Sequence, residues 1–278
     1  MSVLQRNAIT LGGQGEKPLI FLHGYGYGYG CDQTMWRFIA PHFEASHRVV
    51  LYDHVGSGRS DLSAYDHIRY NSLHGYADDL IEICEALDLQ NVDLAGHSVG
   101  GMIAVLAAAK RPELFGRLVL LGPSPCYINQ DGYAGGFSRK DIDELLAFLQ
   151  LNHQAWSASM APVVMANPDR PELAAELEQY FRANDPDIAH HFARVIYTSD
   201  HRADLAAVTH PTLILQCADD VVAPVAVGAF MHAQMRNSRL TVLDTHGHYP
   251  QFSAPHIVRD AMAGFLSDAD GHNETLAA

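Results

Sequence analysis

The stretch Gly96-His97-Ser98-Val99-Gly100 decides the predicted fold. It lies where a short, largely apolar run, residues 92–95, gives way to an alanine-rich run, 102–110, that is typical of a helix. A serine between two glycines at a strand-to-helix switch matches the nucleophile elbow pattern GxSxG. The glycines are needed because this turn strains the serine backbone and leaves no room for larger side chains two positions away. We therefore expect Ser98 to present its hydroxyl in a cleft.

Composition limits the classes of protein and partner. A chain of 278 residues is long enough for one large α/β domain with an inserted subdomain. Its 18 Lys and Arg against 32 Asp and Glu give a formal charge of −14, which argues against nucleic acid or an anionic membrane as a partner. No apolar run is long enough to cross a bilayer, and residues 1–10 lack a signal peptide pattern, so a cytoplasmic protein is expected.

Cysteine and histidine spacing predicts neither a metal site nor a cofactor. The four cysteines are scattered without a CxxC pair, which favours buried, reduced thiols over a disulfide framework or a zinc site. The histidine pairs 190–191 and 246/248 have no third ligand at HxxxH or HExxH spacing. We interpret these histidines as surface or core residues, and His97 as a packing residue within the elbow.

The chain alternates between strand-like and helix-like stretches on both sides of the elbow. Apolar runs at 18–22, 48–52 and 118–121 predict strands, while the spacing of apolar residues over 72–87 predicts an amphipathic helix. The alternation resumes with strands at 211–216 and 240–243 and a last helix over about 255–266. This repeated βα pattern predicts an α/β fold with a mostly parallel sheet.

Between these two parts, residues 127–205 contain no convincing strand. Four helix-like segments occur there, separated by breaks that contain proline and asparagine: 139–151, 154–166, 171–183 and 186–199. The predicted organisation is a core of 1–126 and 206–267, a helical insertion of 127–205 and a disordered tail of 268–278.

Two further residues complete a catalytic constellation with Ser98. Asp220 follows the strand at 211–216 and His248 follows the strand at 240–243, in the order Ser, Asp, His of the α/β hydrolases. Loops at the carboxyl ends of parallel strands converge on one crevice, so the three side chains can meet. Asp219 is the rival acid and His246 the rival base; the spacing of Asp220 to Pro224 and the glycine before His248 favour our assignment.

The loop after His23-Gly24 is the candidate for oxyanion stabilisation. Acyl transfer by a serine passes through a tetrahedral oxyanion, which backbone amides stabilise. The residue after the elbow serine supplies one amide, Val99, and a residue just past His23-Gly24 supplies the other, for which we select Tyr25.

With these residues in place, the chain resembles an α/β hydrolase of the RsbQ type, a group that includes the plant strigolactone and karrikin receptors. The likeness rests on residues 31–33 with Trp36, 52–61 (YDHVGSGRSD), 96–100, 122–127 (GPSPCY), 199–202 (SDHR), 213–220 (LILQCADD) and 247–248. It implies a four-helix lid, inserted after the sixth strand, over a hydrophobic pocket. It also implies Ser98, Asp220 and His248 as the triad, with the amides of Tyr25 and Val99 as the oxyanion hole.

The chain departs from this family in one loop. Members have a single aromatic-glycine pair between the His-Gly and Asp-Gln dipeptides, whereas residues 25–30 contain three. This leaves open which tyrosine amide faces the oxyanion.

Two functional hypotheses follow. In the first, the protein hydrolyses a small hydrophobic ester or lactone through an acyl-enzyme, and the insertion supplies pocket residues, Trp156, Met160, Val164 and Phe192. In the second, which the resemblance suggests, it is an RsbQ-like stress-signalling regulator that binds or slowly hydrolyses a small hydrophobic ligand and activates a partner phosphatase.

Overall fold

A seven-stranded sheet forms the centre of the molecule. The computed structural model describes residues 2–25 and 32–268, so the loop after Tyr25 and most of the proposed tail lie outside the described residues. The sheet order is β1-β3-β2-β4-β5-β6-β7, with β1 antiparallel to β3 and every other neighbouring pair parallel. The strands are β1 (Thr10–Gly12), β2 (Lys17–Leu22), β3 (His47–Leu51), β4 (Val92–His97), β5 (Phe115–Leu121), β6 (Thr212–Asp219) and β7 (Ser238–His246).

Helices pack on both faces of this sheet, and the described residues contain ten α-helices in all. They are α1 (Val3–Arg6), α2 (Leu73–Ala86), α3 (Val99–Lys110), α4 (Arg139–Leu151), α5 (His153–Met165), α6 (Pro171–Arg182), α7 (Pro186–Tyr197), α8 (Val225–Gln234), α9 (Pro250–Ser253) and α10 (Pro255–Ser267). Strand β2 shows why helices pack on both faces. Its successive side chains point to opposite sides of the sheet and belong to two separate hydrophobic clusters. Ile20 and Leu22 pack with residues of α2 and α3, whereas Leu19 and Phe21 pack with residues of α10.

The insertion follows the fifth strand, β5, which corrects the expected position after the sixth. Only one strand, β1, precedes β2 in the described residues, and Val3–Arg6 form the short helix α1. A capping box at Ser2 and Gln5 stabilises that helix.

The four helices α4 to α7, residues 139–197, are called the four-helix segment below. Within it α5 packs on α6 and α4 packs on α7. The division of the chain into a core, a lid and a tail stays a prediction. None of the helices in residues 2–25 and 32–268 has both the length and the apolar character needed to span a bilayer.

At the elbow, residues 96–100, the backbone of α3 lies very close to the backbone of β2 and β4. Ser98 has φ 53° and ψ −121°, a left-handed conformation that side chains rarely adopt. A Cβ on Gly96 would lie 2.5 Å from the carbonyl oxygen of Gly100, and one on Gly100 would lie 2.5 Å from that of His23. Both glycines are therefore required for α3 to start directly above β2 and β4.

A Gly100→Ala substitution tests this steric requirement. Because the added methyl collides with main-chain oxygens, we expect the free energy of unfolding in urea to fall by about 1–3 kcal/mol. The matched control is Gly264→Ala in α10, where a Cβ meets nothing within 4 Å. There alanine should raise the free energy of unfolding by about 0.5–1 kcal/mol, since it reduces the entropy of the unfolded chain. Equal effects at both positions would contradict the packing argument.

Candidate active site

Ser98, His248 and Asp220 form one chain of hydrogen bonds at the carboxyl end of the sheet. The Ser98 hydroxyl lies 2.8 Å from Nε2 of His248, and Nδ1 of the same ring lies 2.7 Å from Oδ2 of Asp220. The carboxylate oxygen accepts, so Nδ1 carries the proton and Nε2 accepts from the serine. The side chains of His248 and Asp220 are 4% and 0% exposed, which shields both bonds from solvent.

The loop after β6 orients the carboxylate of Asp220. Its Oδ1 accepts the backbone N–H groups of Val222 and Ala223 at 2.8 and 3.2 Å, which leaves Oδ2 for the histidine. The rival residues lie elsewhere: Asp219 and His246 are 68% and 65% exposed and face each other at 3.5 Å. The structure thus brings Asp220 and His248, and neither rival, to the serine.

Backbone contacts hold His248 on both sides. Its N–H donates to the carbonyl of Val164, near the end of α5, at 2.7 Å. Its own carbonyl accepts from Nε2 of His97 at 2.7 Å. Gly247 makes the first contact possible: with φ 81°, a Cβ there would lie 2.0 Å from the carbonyl oxygen of Met165. The sequence predicts only a packing role for His97, because this hydrogen bond to a distant residue has no local sequence signal.

The predicted oxyanion residues lie beside the serine. Val99 is the first residue of α3, so its N–H has no acceptor within the helix and lies at the positive end of the helix dipole. Tyr25 is 8% exposed, its hydroxyl donates to the carbonyl of Ala189 in α7, and its carbonyl accepts from the Tyr249 hydroxyl, both at 3.2 Å. The assignment of these two amides to an oxyanion hole stays a prediction.

A cavity of about 140 Å³ opens onto the serine. Its walls are mostly apolar and aromatic, and its polar atoms include those of Ser98 and His248. The lining residues are Tyr25, Ser98, Tyr127, Phe137, Leu145, Trp156, Met160, Val163, Val164, Phe181, Ile196, Tyr197, Val221, Val222, His248 and Tyr249.

Three of the four pocket residues expected from the sequence line this cavity: Trp156, Met160 and Val164. The fourth, Phe192, does not. It lies on the face of α7 that packs on Tyr76, with ring centroids 4.6 Å apart, and it contacts Tyr25 from behind the cavity wall at 6.0 Å.

Tyr127 lines the cavity, although the sequence did not indicate it as a pocket residue. It is the last residue of the GPSPCY motif. Its side chain lines the same cavity as Ser98, and burial raises its pKa above the usual value for tyrosine. The hydroxyl therefore stays protonated.

Buried neutral histidines support the strand ends beneath the cavity. Nε2 of His23 accepts the backbone N–H of His54 at 3.0 Å, and Nε2 of His54 donates to the carbonyl of His23 at 3.0 Å. Burial lowers the pKa of His23 and lowers that of His54 well below the usual range, as it does for His97. All three rings are therefore uncharged in the folded protein at neutral pH.

In the described ranges, 2–25 and 32–268, no group of three or more His, Cys, Asp or Glu side chains is arranged to hold a metal ion. The thiols of Cys84 and Cys217 are buried, and burial raises the pKa of each to about 12. These cysteines remain protonated at neutral pH and are poor nucleophiles or metal ligands.

The buried histidines predict an acid-sensitive fold. His23, His54 and His97 are neutral when folded, but the unfolded chain protonates them below about pH 6.5. Proton binding then favours the unfolded state. We expect the free energy of unfolding in urea to fall between pH 7.5 and 5.5, by up to about 1.4 kcal/mol per pH unit for each histidine once the pH is well below 6.5.

The control for this measurement is His256→Gln, because His256 is exposed on α10. The variant should show the same pH dependence of the free energy of unfolding as the unmodified protein. A free energy of unfolding that is constant or rises on acidification would contradict the prediction.

A parallel sheet with a serine at a strained strand-to-helix turn, and with histidine and aspartate on the loops after the last two strands, defines the α/β-hydrolase class of enzymes. Residues 17–255 match the family model described as alpha/beta hydrolase fold. The chain belongs to this family and is a hydrolase, which confirms the predicted fold class.

Two named relatives and one solved structure are similar to this chain over most of its length. The chain is 38% identical over 256 residues to karrikin insensitive 2 receptor IA of Petunia hybrida, with 92% of each chain covered. It is 35% identical over 255 residues to strigolactone esterase D14 of Arabidopsis thaliana, with 91% of this chain and 94% of the relative covered. A solved structure of a hydrolase from Oleispira antarctica is 37% identical and superimposes with a TM-score of 0.91, covering 96% of both chains.

The predicted relation to the plant receptors is thereby confirmed. The narrower RsbQ type stays a prediction. These three relatives give no support to a regulator that activates a phosphatase, since their names describe a karrikin insensitive 2 receptor, a strigolactone esterase and a hydrolase.

Proposed function

We propose that the protein hydrolyses a small hydrophobic carboxylic ester or lactone, with Ser98 as nucleophile, His248 as general base and acid, and Asp220 as the partner of the imidazolium. The observation that carries this proposal is the hydrogen-bond chain from Ser98 through His248 to Asp220, with distances of 2.8 and 2.7 Å, at the wall of an apolar cavity.

The first half of the reaction forms an acyl-enzyme. Nε2 of His248 takes the Ser98 proton as the oxygen attacks the carbonyl carbon, and the imidazolium is stabilised by Asp220. The backbone amides of Val99 and Tyr25 stabilise the oxyanion. The intermediate collapses as His248 returns the proton to the leaving alkoxide. In an ester the alcohol departs, whereas in a lactone it remains attached to the acyl chain.

The second half releases the acid. A water molecule occupies the position of the leaving oxygen, gives its proton to His248 and attacks the acyl carbon. The tetrahedral intermediate collapses, and His248 returns the proton to the Ser98 oxygen. The proton balance closes on the starting state, so the chain requires no cofactor for this reaction.

The substrate class follows from the cavity. Its walls carry aromatic rings and aliphatic side chains, without an Asp, Glu, Lys or Arg among the lining residues of the described chain. A charged substrate would lose its hydration there without a compensating partner. A volume of about 140 Å³ favours a small acyl group. A relative named strigolactone esterase is consistent with ester chemistry in such a site.

Ser98→Ala tests the nucleophile directly. With p-nitrophenyl acetate and γ-lactones as substrates, we expect kcat to fall by roughly 10³-fold or more, because the acyl-enzyme no longer forms. A fluorophosphonate should label one site in the unmodified protein, identified as Ser98 by mass spectrometry of peptides. An adduct on any other residue would overturn the mechanism.

The two adjacent aspartates provide a matched pair for the acid. Asp220→Asn preserves shape but removes the charge that stabilises the imidazolium, so kcat should fall by roughly 10³–10⁴-fold. Asp219→Asn changes an exposed carboxylate that faces His246, and kcat should remain nearly unchanged. Comparable losses of kcat in both variants, measured with p-nitrophenyl acetate, would argue against Asp220 as the specific partner of the base.

The number of turnovers separates an enzyme from a ligand sensor. Repeated release of product, lost in Ser98→Ala, is expected for the proposed esterase or lactonase. The comparison with proteins named karrikin insensitive 2 receptors makes single turnover the main alternative outcome. A burst of one product per protein molecule with every ester and lactone tested would replace the proposed function by ligand sensing.

A further inference from the structure

We infer that His97 is a positioning residue for the base: the hydrogen bond from its Nε2–H to the carbonyl of His248 sets the imidazole of His248 against the Ser98 hydroxyl. This inference rests on the proposed function, because it assigns a role to His97 only through His248. His97 directly precedes Ser98, the proposed nucleophile, in the sequence.

His97 lies against the base on one side and against the segment that leads to Tyr25 on the other. The side chain is fully buried at the end of β4, directly before Ser98. Its Nε2 lies 2.7 Å from the carbonyl oxygen of His248, and the two rings lie 4.9 Å apart. On the opposite side, a Cβ on Gly24 would lie only 2.4 Å from its Nδ1, so the ring packs directly against the segment that leads to Tyr25.

This geometry fixes the tautomer and the charge of the ring. A carbonyl oxygen can only accept, so Nε2 carries the hydrogen and Nδ1 does not. Nδ1 has no hydrogen-bond partner among the described residues. Burial, together with the nearby His248, lowers the pKa of His97 well below the usual range for histidine. The neutral state matters, because a cation here would oppose the imidazolium that forms on His248 during the reaction.

Among the described residues, two hydrogen bonds hold the peptide groups of His248. One comes from His97, and the other runs from the His248 N–H to the carbonyl of Val164 in the four-helix segment. Of these two, the bond from His97 ties the base to β4, the strand that leads to Ser98. Without it, the main chain of His248 keeps the bond to the four-helix segment and its ring keeps the bond to Asp220, so the imidazole is freer to shift relative to the Ser98 oxygen. A displacement of about 1 Å at a reacting group can lower a rate about 10²-fold.

Two amide variants separate this role from simple packing. In His97→Gln the side-chain amide nitrogen reaches about as far as Nε2 and can donate to the same carbonyl. In His97→Asn the amide nitrogen stops near the position of Nδ1 and cannot reach it. Both side chains are polar and uncharged, so they differ in the reach of the donor more than in chemistry.

The measurements are kcat and KM with p-nitrophenyl acetate, the rate constant of fluorophosphonate labelling at Ser98, and Tm. For His97→Asn we expect kcat and the labelling rate to fall about 10²-fold with KM little changed. For His97→Gln both rates should stay within about tenfold of the unmodified protein, because the donor is retained. The Tm values of the two variants should be similar, which shows that the difference in rate is not a difference in folding.

Two results would overturn the inference: rates for His97→Asn equal to those of the unmodified protein, or equal losses in both variants at similar Tm. If His97→Asn does not fold, His97→Met, which has similar length but no donor, takes its place beside Gln. Failure of the proposed function has a different signature. In that case the unmodified protein itself shows no turnover and no labelling that depends on Ser98.

Discussion

The close approach of α3 to the sheet is the constraint on which the remaining site depends. Ser98 keeps its left-handed backbone conformation because its N–H donates to the carbonyl of Leu121 at 2.8 Å and because glycines at 96 and 100 remove the methyl groups that would separate helix and strand. That arrangement places Ser98 at the N-cap of α3 and Val99 at its first position. The nucleophile and one proposed oxyanion donor thus come from a single turn.

The charge states of the buried groups around this turn are also set by their surroundings. Asp220 is buried, but backbone N–H groups and the His248 ring satisfy its oxygens. The neighbouring histidines, among them His23 and His97, are kept neutral by burial. In the proposed reaction two charges develop: the imidazolium of His248, beside the carboxylate of Asp220, and the oxyanion of the tetrahedral intermediate. A dry, preorganised site of this kind stabilises a developing charge more strongly than water does.

The sequence was sufficient for features that depend on local pattern, such as the βα alternation, the GxSxG turn and the loops that carry Asp220 and His248. Features set by tertiary contacts were not readable. Phe192 belongs to an apolar helix face, but periodicity does not reveal whether that face meets a cavity or Tyr76. The hydrogen bond from His97 to the carbonyl of His248 joins residues far apart in the chain and has no local signature. The place of Tyr127 in the cavity wall has none either. The predicted position of the insertion was wrong, since five strands and not six precede it in the described residues.

The hydrogen bond between His248 and Val164 allows the ligand selectivity of such a site to change without loss of support for the base. Val164 contributes its side chain to the cavity wall and its main-chain carbonyl to the support of the base. Since the hydrogen bond joins two peptide groups, it does not depend on which side chain stands at this position. One residue therefore serves selectivity and reactivity through separate atoms. Exchange of its side chain reshapes the space offered to a ligand while the support of the imidazole is inherited unchanged.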